Sequence, residues 1–226
     1  MHRINARIRM STKFFKIYRL FFIILFLICS HSSADVNDYV CGPLQNAYGP
    51  YDYRSNKDKL RVVEAYHLTP EVVNLVAGST GMVGGDLDYT LRASPNHHIA
   101  LMAMVRLGEK QKSVKPGGAK YTVECYLQRA VRFSNDDENV RIIYAYYLSK
   151  AGKRTDALNQ LDVAAQIGSD SANENYNMGL IYYNLKEYDK ALTYAHKAYS
   201  FGFPLPGLRD KLKRAGKWTE PVVQSE

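Results

Sequence analysis

The chain has 226 residues, a formal net charge of +8 and 46% hydrophobic residues. Six of its 30 lysines and arginines, and none of its 22 acidic residues, lie within residues 1–34, so residues 35–226 have a net charge of only +2. A nearly neutral chain offers little electrostatic attraction to phosphate backbones, which excludes nucleic acid as an expected partner. Its length fits one domain, or one domain with an appendage.

Residues 1–34 follow the order of a secretory leader. Basic residues up to Arg19 precede an apolar run over 20–29, and three small residues supply a cleavage site after Ala34. An initiator at Met10 would give a leader of more usual length and would not change this interpretation. An uncleaved anchor formed by 20–29 is the alternative, but a spanning helix needs about 20 apolar residues. The sequence therefore predicts an exported protein.

Two cysteines, Cys41 and Cys125, remain after the predicted cleavage. Exported proteins usually meet an oxidising environment, in which two such cysteines form a disulfide. A bond between them would tie the N-terminal segment to the middle of the chain, whereas two buried free thiols are the alternative. Neither cysteine belongs to a zinc-ligand spacing or to a Cys-x-x-Cys-His haem motif, so no cofactor is predicted.

Residues 35–94 lack long periodic runs, and the sequence predicts two short helices within them. The first helix is predicted over 57–66. The second has Thr69 as its N-cap and Pro70 in its first turn, and it is predicted to end at Gly78. The rest of this segment is expected to be irregular.

A glycine-rich turn is predicted over 79–85, after the second helix. It lacks the Gly-Lys-Ser/Thr ending of a phosphate-binding loop, which favours a simple tight turn over a nucleotide site. The residues that follow, 86–92, alternate between polar and apolar side chains. That alternation predicts an extended segment packed against the next helix.

One cluster of polar residues supports a hypothesis of catalysis. Asp86 and Asp88, together with His97 and His98, offer carboxylates and imidazoles of the kind that bind a metal ion or activate water. No His-Glu-x-x-His motif or comparable spacing accompanies them. This favours acids that stay solvated or pair with Arg92, and the metal-dependent hydrolase is kept as an alternative.

The second half of the chain contains two consecutive repeats, 138–171 and 172–205. Placing the first above the second aligns Ala145 with Gly179, Leu148 with Tyr182, Ala157 with Ala191, Leu158 with Leu192, Ala164 with Ala198 and Gly168 with Gly202. Each unit contains two helical periodicities joined by a short turn, so it predicts a helix pair. The predicted helices are 140–150, 156–167, 176–185 and 188–201. Ser171 and Glu174 match a capping box at the start of the last unit.

An earlier unit is indicated by Ala130, which stands one period before Ala164. Its helices are predicted over 96–107 and 121–133, and the intervening loop over 108–120 is longer than a repeat turn. After the last unit, 206–218 predicts a terminal helix that caps the open end of the array. Three units are about the minimum for a stable stack.

These residues resemble the tetratricopeptide repeat (TPR) family, whose units of about 34 residues have small residues at positions 8, 20 and 27 and aromatic residues near positions 11 and 17. The last unit matches at Gly179, Tyr182, Tyr188, Ala191, Ala198 and Pro204. The middle unit departs at Arg154, where an aromatic residue is usual. The resemblance implies a mainly α fold with a short α-solenoid of about three helix pairs (95–137, 138–171 and 172–204), a capping helix and tail (205–226), and an irregular N-terminal segment (35–94) packed on the repeats.

The whole chain is also similar to small exported bacterial TPR proteins of unassigned role. The shared phrases stand at 41–44, 49–54, 86–93, 95–98 and 204–212. This resemblance implies export to the periplasm and adds no known chemistry. The expected function is therefore a protein-binding adaptor or scaffold in the cell envelope, without catalysis, metal or small-molecule cofactor.

TPR units line a concave surface with positions 2, 5, 9, 12 and 13 of their first helices. Carried over, these positions are Asn139, Ile142, Tyr146, Ser149 and Lys150 in one unit, and Asn173, Tyr176, Leu180, Tyr183 and Asn184 in the next. The candidate contact residues are Tyr146, Lys150 and all five positions of the second unit. Tyrosine rings and amides suit a peptide or a partner helix, although packing against the next repeat is the alternative for the tyrosines.

Overall fold

A computed structural model describes residues 41–168 and 170–221. These residues form ten helices and no strand, which confirms a mainly α fold. Within the same residues, no helix combines the length and the apolar character needed to cross a bilayer. The predicted leader and its cleavage site lie outside the described residues, as does the end of the predicted tail, 222–226.

Two helices open the described chain near their predicted positions. Helix α1 is Lys57–His67 and helix α2 is Pro70–Val73. Helix α2 ends five residues before Gly78, the end that the sequence predicts. Leu75 explains the early end, because it has a φ of 59°, which is incompatible with a right-handed helix. Its side chain is buried, and the Lys110 ammonium donates a hydrogen bond to its carbonyl at 2.7 Å.

The extended structure predicted for 86–92 is wrong. These residues belong to helix α3, Val83–Ala93, so the glycine-rich turn before it ends at Met82. Leu87 and Leu91 lie one helical turn apart and are both buried. An alternation over seven positions is too short to distinguish a strand from about two turns of a helix with its apolar face inward.

The two aspartates of helix α3 are buried, whereas the sequence favoured carboxylates that are solvated or paired with Arg92. Asp86 is 1% exposed and Asp88 is 7% exposed. Asp88 does form the expected ion pair with Arg92, at 2.8 Å, and it also accepts a hydrogen bond from the Tyr126 hydroxyl. Burial raises the pKa of that hydroxyl well above its usual range, and the Asp88 carboxylate adds to the effect. Tyr126 therefore remains a neutral donor to Asp88.

Helix pairs follow along the rest of the described chain. They are α4 (His98–Gln111) with α5 (Val123–Phe133), α6 (Glu138–Lys150) with α7 (Arg154–Ile167), and α8 (Ala172–Asn184) with α9 (Tyr188–Ser200). The first helices α4, α6 and α8 pack on one another in that order. The last helix, α10 (Gly207–Arg214), packs on α8 and α9. The sequence predicted all seven helices, with ends that differ by up to four positions.

Small residues allow the helices to approach closely. Ala157, Ala164 and Ala191 are fully buried, as the alignment of the two repeats predicted. A Cβ atom on Gly179 would lie 2.5 Å from Cδ2 of Leu208, so the glycine makes room for α10 against α8. The register of the helix pairs therefore depends on these side chains being small.

The capping box predicted at the start of helix α8 does not form. Ser171 precedes the helix, but its side chain makes no cap hydrogen bond. The Glu174 carboxylate instead accepts a hydrogen bond from the Asn139 amide at 2.6 Å. Glu174 thus links α8 to the neighbouring helix α6 instead of completing a capping box at the start of α8.

The predicted disulfide is present. Cys41 and Cys125 are bonded, with their Cα atoms 5.2 Å apart. Arg129, one turn further along helix α5, donates hydrogen bonds to the carbonyls of Cys41, Gly42 and Pro43 at 2.6–3.1 Å. The covalent bond and this arginine hold the start of the described chain on α5.

Candidate interaction groove

A groove of about 410 Å³ crosses the first helices of the successive pairs. Its lining comprises Met102 on α4, Asn139, Ile142, Ile143 and Tyr146 on α6, Asn177, Leu180, Ile181 and Asn184 on α8, and Lys211 on α10. Four helices therefore contribute to one continuous concave surface. Because each helix is held by its own packing partner, the groove is preformed.

The floor of the groove is apolar and its rim carries amides. Ile142 and Ile181 are each 3% exposed, whereas Asn177 and Asn184 are exposed to solvent. Each asparagine amide supplies two donors and an acceptor, which matches the hydrogen-bonding groups of a peptide backbone. Among the described residues that line the groove, Lys211 is the charged one. The groove can thus bury apolar side chains while its rim hydrogen-bonds a main chain.

Tyr146, Leu180 and Asn184, three of the predicted contact residues, line the groove. Tyr146 is half-buried, and burial raises the pKa of its hydroxyl, an effect to which Glu109 adds. Its hydroxyl therefore remains protonated and hydrogen-bonds the Glu109 carboxylate, which leaves the ring face as its contact surface for a ligand. Leu180 contributes apolar surface beside it, and Asn184 lies at the end of α8.

The other four predicted contact residues lie outside this lining. Tyr176 stacks on Phe203, with 3.8 Å between ring centroids. It therefore packs against its own chain, which was the alternative interpretation of the tyrosines. Tyr183 meets Tyr188 edge to face at 5.5 Å. Asn173 is exposed in the first turn of α8.

Lys150, the last of these four, borders a separate shallow cavity beside Lys112 and Ser113. It stands at the C-terminal end of α6. The ammonium also lies 5.5 Å from the centre of the Tyr146 ring, so Lys150 stands next to the groove without lining it.

Sequence reasoning missed five groove residues, which are Met102, Ile143, Asn177, Ile181 and Lys211. Met102 occupies the place in α4 that Ile142 occupies in α6, because both are the fifth residue of their helix. The two helices start at His98 and Glu138, an interval longer than the repeat period, so a search at that period does not align them. Aligning the helix starts through Ser94 and Ser134, which stand at the same longer interval, would have found Met102.

The four side chains of the hypothetical metal site have separate partners. Asp88 pairs with Arg92, and His97 bonds Glu64 at 2.9 Å. His98 contacts the Asp137 carboxylate at 2.9 Å. No group of three or more His, Cys, Asp or Glu side chains within the described residues is placed to hold a metal ion. The arrangement therefore gives the hydrolase alternative no geometric support.

Asp86, the remaining member of that set, fills the glycine-rich turn. Its carboxylate accepts hydrogen bonds from the amides of Ser79 (2.7 Å) and Thr80 (3.1 Å) and from the Thr80 hydroxyl (2.6 Å), and it contacts Nδ1 of His67 at 2.9 Å. Burial raises the pKa of Asp86, but the hydrogen bonds from Thr80 and His67 outweigh it and leave the pKa below its usual value. The turn thus holds an anion supplied by its own chain.

Hydrogen bonds at Asn96 join the N-terminal segment to the helix pairs. Its amide nitrogen donates to the carboxylates of Asp52 (2.8 Å) and Asp137 (2.9 Å), and its oxygen accepts from the amide of Tyr53 (3.0 Å). Asn96 and Asp137 are buried. The sequence segments around residues 49–54 and 95–98 are therefore in contact.

A comparison with models of known protein families finds no match for this chain. A comparison with curated proteins finds no match either. The described residues define the class of the protein as a mainly helical, disulfide-bonded chain of packed helix pairs with a preformed surface groove. The groove and its lining are the basis for a functional assignment.

Proposed function

We propose that this protein is an exported adaptor of the TPR type, which binds an extended peptide or a helix of a partner protein in the groove over α4, α6, α8 and α10. The observation that supports this most directly is the groove itself, because consecutive first helices contribute to it in order. A surface built in this way is long and narrow, as a peptide requires.

The helix spacing supports a TPR-like α-solenoid. Helices α6 and α8 start at residues 138 and 172, and α7 and α9 start at 154 and 188. Both intervals equal the length of a TPR unit, about 34 residues. The disulfide between Cys41 and Cys125 supports export, because such bonds persist in oxidising compartments.

The lining favours a partner with apolar side chains and an accessible main chain. Ile142 and Leu180 offer apolar contact, Asn177 and Asn184 offer backbone hydrogen bonds, and Lys211 offers a single positive charge. A carboxylate near the end of the ligand would pair with Lys211. We therefore expect a peptide with alternating or helically spaced apolar residues and one acidic residue.

The proposal is tested with a displayed library of random peptides selected on the immobilised protein. The affinity of a selected peptide is then measured for the native protein, for Tyr146→Ala/Leu180→Ala and for Tyr66→Ala. Tyr66 is 64% exposed and lies on α1, away from the groove, which makes it a matched control. Removing two groove side chains is expected to weaken binding by roughly 30-fold or more, and the control is expected to bind normally.

Circular dichroism of each variant checks that it is folded. Equal affinity of the native protein and the Tyr146→Ala/Leu180→Ala variant, or the selection of no peptide at all, would contradict the groove as the binding site. A peptide that loses affinity for Tyr66→Ala alone would move the site to the surface of α1.

A further inference from the structure

One edge of the molecule consists of three adjacent loops. They are residues 74–82 before α3, residues 108–122 from the end of α4 to the start of α5, and residues 150–154 between α6 and α7, and we call them together the basic edge. None of the described residues that line the groove belongs to these three loops, so the basic edge is a different surface.

The three loops are in direct contact. Lys110 donates a hydrogen bond to the Leu75 carbonyl, and Gly118 packs against Met82, which joins the first loop to the second. The second loop meets the third at a shallow cavity of about 330 Å³, whose lining includes Val114 and Lys150. The loops therefore present one continuous surface.

Charge is distributed unevenly between the two ends of the helices. Residues 108–122 and 150–154 contain seven lysines and arginines and one acidic residue. Residues 134–138 and 170–174, at the starts of α6 and α8, contain five acidic residues and no basic one. Lys153 and Arg154 pair with the carboxylates of Glu124 and Glu187. Although residues 35–226 as a whole are nearly neutral, the excess positive charge of the basic edge therefore lies on five lysines, Lys110, Lys112, Lys115, Lys120 and Lys150.

The lysines of the long loop are available to a ligand. Lys112, Lys115 and Lys120 are exposed, and none of them forms an ion pair with another described residue. Lys112 shares the shallow cavity with Lys150 and Ser113, and Glu109 is the acidic residue there. Two ammonium groups beside one carboxylate give this cavity a net positive charge, which attracts a phosphate group.

Apolar side chains project from the same edge. Val76 is 75% exposed, Val114 is 71% exposed and Met82 is 67% exposed. These are the highest values among the large hydrophobic residues of the described chain. Exposing such side chains to water is unfavourable, and their concentration on two touching loops indicates an interaction surface.

We propose that the basic edge docks on an anionic phospholipid surface. Val76, Met82 and Val114 enter the boundary between headgroups and acyl chains, while the lysines lie at the level of the phosphates. A lipid surface fits both the exposed lysines and the exposed apolar side chains, since it offers anionic groups over a wide area and apolar acyl chains beneath them. The described residues that line the groove are not part of this docking surface.

The test measures cosedimentation of the purified protein with vesicles of phosphatidylcholine containing phosphatidylglycerol, and with vesicles of phosphatidylcholine alone. The protein is expected to bind the anionic vesicles only. Lys112→Gln/Lys115→Gln/Lys120→Gln is expected to weaken partitioning roughly 100-fold, because each lysine near an anionic surface contributes to binding. Val76→Ser/Met82→Ser/Val114→Ser is expected to weaken it about 10-fold or more through lost apolar insertion.

A matched control removes the same charge elsewhere, with Lys59→Gln/Arg61→Gln/Lys197→Gln, and is expected to bind much more tightly than the Lys112/Lys115/Lys120 variant. Absence of binding to anionic vesicles, or an equal loss in the control, would overturn the proposal. Charge-dependent binding that the serine variant retains in full would overturn the lipid surface in favour of a soluble polyanion.

Discussion

His97 shows how buried polar residues position the first helix pair. Its side chain is fully buried, Nε2 donates to the Glu64 carboxylate at 2.9 Å, and Nδ1 accepts from the amide of Ala100 at 3.4 Å. With one nitrogen donating and the other accepting, the ring is neutral. Burial lowers the pKa of His97 to about 4, even though Glu64 favours the protonated form. The residue therefore both caps helix α4 and ties it to α1.

This pKa makes stability depend on pH in a defined window. Between pH 6.5 and about 4, the unfolded chain binds a proton at His97 and the folded chain does not, so stability falls as pH falls through that window. The expected contribution is roughly 1.4 kcal/mol per pH unit. Urea unfolding at a series of pH values measures it, and His97→Gln is expected to reduce the slope.

His196→Gln serves as the control for that experiment. His196 is half-buried and bonds the carbonyl of Thr219, away from Glu64, so its replacement is expected to leave the contribution of His97 to the slope in place. Measurements above about pH 4.5 avoid most of the titration of carboxylates. A slope that is identical in the native protein and in His97→Gln would contradict the assignment of a neutral, buried His97.

At the scale of elements, α3 and α5 are equivalent helices. Both have 11 residues, they start at Val83 and Val123, and each is followed by a serine and then by a first helix. Leu87 and Leu127, the fifth residues of the two helices, are both fully buried. Helix α3 also packs on α1. The helix-pair arrangement thus extends into the segment that the sequence indicated was irregular.

The sequence did not reveal this equivalence because the interval from α3 to α5 includes the long loop after α4. A search at the period of the last two units aligns α6 with α8 and α7 with α9, but it places α3 opposite the wrong residues. The local sequence pattern of α3 did not indicate a helix either. Two glycines at its start lower helix propensity, and seven alternating residues match a strand equally well.

Replacing each of these two glycines with alanine is expected to have opposite effects on the free energy of unfolding. A Cβ atom on Gly84 would lie 2.2 Å from the backbone carbonyl oxygen of Gly117, whereas one on Gly85 would lie 3.8 Å from its nearest neighbour. Gly84→Ala is expected to lower the free energy of unfolding by about 1–3 kcal/mol through overpacking. Gly85→Ala is expected to be neutral or to raise it by up to about 1 kcal/mol through helix propensity.

Urea unfolding of both variants beside the native protein measures this difference. Because the two substitutions are chemically identical and adjacent in one helix, they control for each other. Equal stability of the two variants would contradict the close packing of α3 on the loop that contains Gly117.

At the scale of the whole molecule, long-range connections close the N-terminal segment onto the helix pairs. The disulfide joins residues that are 84 positions apart. Asn96, inside the loop that the disulfide closes, joins Tyr53 to Asp137 by hydrogen bonds. Together they tie the segment before α1 to α5, to the junction between α3 and α4 and to the start of α6.

Reduction of the disulfide is therefore expected to lower stability strongly. Closing a loop of this length restricts the unfolded chain, which corresponds to about 4.5 kcal/mol. Urea unfolding with and without a phosphine reductant measures the change, and Cys41→Ser/Cys125→Ser is expected to behave like the reduced protein. Unfolding midpoints that do not respond to reductant would show that the bond contributes no stability.

The sequence by itself determined the helix pairs from α4 onward, the terminal helix and the disulfide partners. These features depend on local periodicity, on small residues repeated at a fixed interval and on there being two cysteines in residues 35–226, all of which are present in the chain as written. Three groove residues, Tyr146, Leu180 and Asn184, were also among the candidates, through the resemblance of the repeat to TPR units.

Only the tertiary structure decided the rest. Whether Tyr176 faces a ligand or Phe203, and whether Asp86 is solvated or fills a turn, depends on which distant segment packs against it. The groove needs α4 and α10, and the basic edge needs loops that are far apart in the chain. Contacts between distant segments have no local periodicity, because packing and burial in the folded chain select them.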